Sequence, residues 1–152
     1  MMEQQGTKAE FPGARAAPAA PRALAARILV VLPDDELRVA LCAELGERGC
    51  DPSGAHDLSA ALAYPAREPG RDVVRLILID QRAWTDAAAS DAERLLALHP
   101  LAEKWLLGSA WTPEPVGTPW QSVVHRPLTI EQLVQRMVRG VAAGRARAES
   151  VV

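Results

Sequence analysis

Aromatic residues are scarce, at 4% of the 152 residues, so Leu, Val, Ile and Ala must carry the packing of any core. Cysteine is limited to Cys42 and Cys50, which lack metal-ligand spacing and read as two free thiols. Charge of one sign is also lacking. The formal net charge of -2 gives no electrostatic footprint for nucleic acid or an anionic membrane. No apolar run approaches the roughly 18 residues needed to span a bilayer, and no basic segment precedes an apolar stretch and a cleavage site at the N-terminus. The expectation is a cytoplasmic protein with neither nucleic acid nor membrane as partner. His56, His99 and His125 share no ligand spacing with one another or with the cysteines, which argues against a metal site. A Gly-rich phosphate loop is missing after the first apolar run, and so is any Ser-His-acid order, so nucleotide, flavin and triad chemistry find no support.

What is present is one domain's worth of patterned sequence, with 49% hydrophobic and 24% charged residues. Residues 1–26 are Ala, Pro, Gln and Gly with scattered charges. Such a segment cannot bury enough surface to offset its ordering entropy, and it reads as a disordered tail, either a passive extension or a docking arm. The ordered domain is expected over 27–143, with 144–152 as a flexible C-terminal tail. Arg27-Ile28-Leu29-Val30-Val31-Leu32 reads as a strand buried on both faces. Asp34, Asp35 and Glu36 then open a helix whose Leu37, Ala40, Leu41 and Leu45 share a face, closed by Gly46 and Gly49. A weak strand is expected around Cys50 to Gly54, and a short helix from Asp57 to Ala63.

The clearest strand is Val73 to Asp80. Ser90-Asp91-Ala92-Glu93 reads as a capping box for the next helix, followed by strands at Trp105 to Gly108 and Val123 to His125. A second capping box, Thr129 to Gln132, opens a final helix with Ile130, Leu133, Val134, Met137, Val138 and Val141 in helical register. Strands alternating with helices at this spacing predict a three-layer, doubly wound α/β domain with a five-stranded parallel sheet of the flavodoxin-like kind.

In such sheets chemistry gathers at the carboxyl ends of the strands. The residues there are Leu32-Pro33, Asp80, Ser109-Ala110 and Arg126-Pro127-Leu128-Thr129. In this order they resemble the receiver domain of two-component response regulators, over about residues 27–143. The resemblance implies a phosphoacceptor at Asp80, a hydroxyl at Ser109, a Lys-Pro replaced here by Arg126-Pro127 with a cis bond before Pro127, and an aromatic switch position occupied by Val123. It also implies a pair of Mg²⁺-binding acids directly after the first strand. Those positions hold Leu32 and Pro33, which cannot ligate a cation that demands oxygen donors. Asp34 and Asp35 stand later, as possible substitute acids or as helix-start caps.

These departures favour a degenerate, non-enzymatic pseudo-receiver that binds a protein partner in bacterial signal transduction, without cofactor, as a monomer or weak homodimer. Asp80 then lies in a structural ion pair near Arg126. Two alternatives stand beside this reading. One is a working regulator phosphorylated on Asp80 with Mg²⁺ held by Asp34 or Asp35, and the weaker is an unrelated flavodoxin-like enzyme. Between Ser109 and Arg126 the prolines Pro113, Pro115 and Pro119 predict that the family's fourth helix is shortened or missing. Trp111 and Trp120 in that loop either anchor a partner or fold back over the sheet edge. Trp84, after Asp80, is either partly exposed or caps the pocket.

Overall fold

The two most fully apolar strands take the centre of the molecule because neither offers a polar face to water. In the computed structural model, which describes residues 23–85, 88–111, 113 and 120–151, all of β1 (Arg27–Val31) is buried. So is nearly all of β3 (Val74–Asp80). Beside them lie β2 (Asp51–Ala55), β4 (Glu103–Ser109) and β5 (Ser122–Arg126). All neighbours pair in parallel, in the order β2-β1-β3-β4-β5. This is the five-stranded, flavodoxin-like sheet expected from the alternation of strand and helix. Pro52 sits in β2 at the edge of the sheet, where a missing ladder donor is tolerated.

Side-chain alternation divides the core in two. Ile28, Val30 and Leu32 point to one face and Leu29 and Val31 to the other. The first face is covered by α1 (Asp35–Glu47), through Leu41 and Leu45, and by α4 (Ile130–Val151), through Leu133, Val134, Met137 and Val141. The second is covered by the short α2 (Leu58–Ala61) and by α3 (Ala89–Leu98). Asp34 caps α1 by accepting from the Leu37 N–H at 2.9 Å, and Asp57 caps α2 by accepting from the Ala60 N–H at 2.7 Å. The chain leaves α1 through Gly49, at φ 87°, a left-handed conformation that glycine adopts without steric cost. Gly140 serves close packing instead, since a Cβ there would stand 2.6 Å from the Trp105 ring.

Thr129 and Gln132 form the reciprocal capping box expected at the start of α4. The Gln132 N–H donates to Thr129 Oγ1 at 3.1 Å, and the Thr129 N–H donates to Gln132 Oε1 at 2.9 Å. The box expected at Ser90 does not form. The helix begins at Ala89 with Ala88 as its N-cap and no side-chain cap bond, because alanine's high helix propensity carries the first turn past Ser90.

Where a tail was expected at 144–152, α4 runs on to Val151. Arg145 donates to Asp72 Oδ2 at 2.6 Å and to the Leu24 carbonyl at 2.6 Å, and Arg147 donates to Glu103 Oε2 at 2.7 Å. These side chains tie the last turns to the body of the domain. At the other end, residues 1–22 lie outside the described residues. Order begins before Arg27: Ala26 is buried, and its carbonyl accepts from the Asp51 N–H at 2.8 Å. Among the described residues no helix lies between β4 and β5, while 112 and 114–119 fall outside them. Cys42 and Cys50 are free thiols.

Candidate functional site

Asp80 and Arg126 stand at the carboxyl ends of β3 and β5, which flank β4, and their side chains meet there. Asp80 ends β3 with no exposed surface. The chain turns there into a 3-10 turn, Gln81–Ala83, and Asp80 caps it by accepting from the Arg82 N–H at 2.9 Å. Two guanidinium groups then close on the carboxylate. Arg126 Nη2 lies 2.5 Å and Arg82 Nη2 2.9 Å from Oδ2, while Arg126 Nη1 reaches Oδ1 at 3.4 Å. Arg82 Nε stands 3.3 Å from both oxygens. Burial by itself would raise the carboxyl pKa, but the hydrogen bonds from Arg82 and Arg126 outweigh it and hold Asp80 below the ordinary carboxylate range. The side chain is an anion whose oxygens are already committed.

Leu32 is fully buried and Pro33 exposed, so neither position of the expected acid pair presents an oxygen-bearing side chain. The possible substitute acids are engaged locally. Asp34 caps α1, and Asp35 accepts from Arg38 Nη2 at 2.6 Å. Arg38 also donates from Nη1 to the Leu32 carbonyl at 2.7 Å, taking up the strand-end oxygen that remains. Among the described residues no group of three or more His, Cys, Asp or Glu could hold a metal ion. A Mg²⁺ of the kind the receiver fold implies requires several oxygen donors in near-octahedral array. The residues at this site do not fit it, because guanidinium groups stand against the one buried carboxylate.

The other expected site residues serve local structure. Ser109 Oγ accepts from the Trp111 N–H at 3.2 Å, in a turn just after β4. Val123 lies half-buried within β5 opposite Leu106. The Arg126–Pro127 peptide is cis, as the resemblance implied. The tryptophans separate. Trp84 and Trp120 are half-buried against the second core and meet edge to face, with centroids 5.4 Å apart and ring planes at 69°. Trp111 is 93% exposed.

Two contributors escaped the sequence reading. Arg82 is one, and a basic residue two positions after a strand-end acid was the available signal. Gln81 is the other: its Nε2 donates to the Pro113 carbonyl, and its Oε1 lies 2.6 Å from where a Cβ on residue 108 would stand, so Gly108 makes room for it.

No family model and no curated protein matches the sequence. Solved structures with the same fold include a CheY-like response regulator receiver domain protein from Methanospirillum hungatei JF-1, with TM-score 0.66 and 16% identity over 81% of this chain and 98% of that one. A response regulator from Thermotoga maritima superposes with TM-score 0.61 and 16% identity over 78% of this chain and 99% of that one. An orphan response regulator of H. pylori does so with TM-score 0.57 and 14% identity, over 76% and 96% of the respective chains. At these identities the likeness concerns the fold, and the fold is that of a receiver domain.

Proposed function

We propose that the chain is a pseudo-receiver, a non-enzymatic protein-interaction module of bacterial signal transduction, cytoplasmic, and not switched by Mg²⁺-dependent aspartyl phosphorylation. The observation that carries this reading is the double guanidinium grip on Asp80. Attack on a phosphoryl group needs a free carboxylate oxygen in line with the donor and a cation spanning the phosphoryl oxygens. At this site the carboxylate is spent on Arg82 and Arg126, and the positions of the metal acids carry Leu32 and Pro33. The arginines hold the strand tips in one arrangement, and a partner that recognises that arrangement needs no phosphorylation.

The partner is a signalling or regulatory protein, and Trp111, at 93% exposed, is the residue we assign as its anchor. Trp84 and Trp120, half-buried against the second core, are the further candidates for that surface. The test is incubation of the purified protein with Mg²⁺ and a small phosphodonor, followed by intact-mass measurement. No adduct is expected. A stoichiometric, acid-stable and base-labile phosphoryl adduct that is lost in Asp80→Asn would overturn the proposal in favour of a working response regulator. Partner capture from native cytoplasm, expected to fail with Trp111→Ala, tests the anchor, and unchanged capture moves the binding surface elsewhere.

A further inference from the structure

The opposite, amino-terminal end of the sheet holds a charge with no counter-charge among the described residues. Arg27 opens β1 and is 1% exposed, yet among the described residues it makes no ion pair. Its guanidinium reaches only the carbonyls of Pro65 at 3.3 Å and Asp72 at 3.5 Å, and its Nε has no partner. The acids beside it are engaged elsewhere: Asp51, its register partner on β2, is bound to Arg71, and Asp72 to Arg75 and Arg145. His99, at the C-terminal end of α3, is 3% exposed, and its Nε2 is likewise without a partner. Burial, and then the positive charge of Arg27, hold its imidazole below the usual pKa. Two buried side chains that each keep a nitrogen without a hydrogen-bond partner are costly unless something supplies one.

A cleft of about 320 Å³ opens beside them, lined by His99 and by the apolar side chains of Val74, Leu98 and Leu101, with Arg67 in its wall. Val74 is the register partner of Arg27, and the two carbonyls that Arg27 touches belong to residues adjoining the lining. The volume falls at the small end of ligand pockets, which run from about 300 to 1,000 Å³. Leu101 is 64% and Leu98 37% exposed at its mouth, although both are large apolar residues.

We infer that this cleft is a binding site for a small aliphatic monocarboxylate, its hydrocarbon body against Val74, Leu98 and Leu101 and its carboxylate turned toward Arg27 and His99. The carboxylate supplies the counter-charge that Arg27 lacks and accepts from His99 in its Nε2–H tautomer. Neither unpartnered atom is accessible to solvent, so a side chain of the cleft wall must move for the head group to reach them. The inference is independent of the strand-tip site, since the cleft lies at the other end of the sheet.

Hexanoate and hexan-1-ol, matched in length and differing in charge, are the probes for the full chain. Titration followed by NMR of the His99 ring should show saturable binding of hexanoate and at least about tenfold weaker binding of the alcohol. Arg27→Met, an apolar replacement of similar length, should fold and bind hexanoate at least about tenfold more weakly. Shifts that never saturate, equal affinity for the alcohol, or unchanged hexanoate affinity in a folded Arg27→Met protein would each overturn the inference. Should that variant not fold, the comparison of the two probes on the unaltered protein decides alone.

Discussion

Replacing the Asp80 carboxylate by an amide distinguishes two kinds of strand-tip site by the sign of its effect. Where several acids crowd together, neutralising one relieves repulsion and the domain gains stability. Here Asp80 is fully buried between two cations, and Asp80→Asn should destabilise by about 1–2 kcal/mol, because charged hydrogen bonds become neutral ones. Arg126, whose side chain is 28% exposed, should cost about 1.5–3 kcal/mol when changed to Met. Arg82, at 57% exposed, is discounted for solvent screening to about 0.5–1 kcal/mol. Removing both leaves a buried carboxylate with no cation, and the pair should cost about 3–5 kcal/mol. Adding Asp80→Asn to that double variant should recover about 2 kcal/mol, since the unpaired charge is then gone. Urea unfolding at neutral pH, followed by near-ultraviolet circular dichroism at constant m, measures each step. The same melts with Mg²⁺ should be unchanged, whereas a site with Kd of about 1 mM would add about 1.4 kcal/mol at about 10 mM. A rise in stability for Asp80→Asn, or its failure to rescue the double variant, would refute the cage.

Five further outcomes can be checked by the same unfolding measurements. Trp111→Ala should change stability by less than about 0.5 kcal/mol, as expected for an exposed position. Trp120→Ala should cost about 2–3 kcal/mol through lost packing on Trp84 and the second core. Gly140→Ala should cost about 1–3 kcal/mol, because the added methyl would lie 2.6 Å from the buried Trp105 ring. His99 is held neutral below its ordinary pKa by burial and by Arg27. The unfolded chain therefore binds the proton first as pH falls, so the stability conferred by neutral His99 is full above about pH 6.5 and is lost progressively below it. That slope should be absent in His99→Gln. On the acid side, Asp80's stabilisation is present above about pH 3.9 and lost as pH falls through its lowered folded value.

What could be read from the residues was whatever depends on local periodicity. The apolar runs of β1 and β3, the stripe of α4 and the Thr129 box needed no tertiary information. The position of Asp80 followed from the strand it ends, and its pairing with Arg126 from the receiver resemblance, since β4 stands between the two strands. The departures arise where a distant contact decides. Arg145 finds Asp72, 73 positions away, and nothing near residue 145 announces that anchor, so a segment read as a tail is the end of a helix. Arg82 points at Asp80 because a 3-10 turn follows β3, and the direction of one side chain in one turn is not written in periodicity. Trp111 and Trp120 carry equal weight in sequence and opposite environments in the fold, since only one of them reaches Trp84. Arg27 stands at the head of an apolar run, where a basic residue ordinarily marks the solvent end of a strand. Its burial, and the cleft beside it, depend on loops from three other parts of the chain.

The two ends of the sheet treat charge in opposite ways, and the contrast bears on where a ligand can act. At the carboxyl end one anion meets two cations, and a second anion arriving there would have to displace a guanidinium from a buried carboxylate, at a cost comparable to breaking a buried ion pair, about 3–5 kcal/mol. At the amino end a buried cation has only weak carbonyl partners, and an arriving anion displaces nothing charged. On the proposed reading, strand-tip chemistry is thus resisted by the very groups that neutralise Asp80. A ligand-dependent change in this domain would more readily begin at Arg27 and travel along β1, whose other end, at Val31 and Leu32, adjoins the Asp80 cage through pairing with Ile79. Melting the protein with hexanoate while following the Arg82 and Arg126 side-chain resonances tests that coupling. Shifts confined to the amino end would mean that the two ends of the sheet are energetically separate.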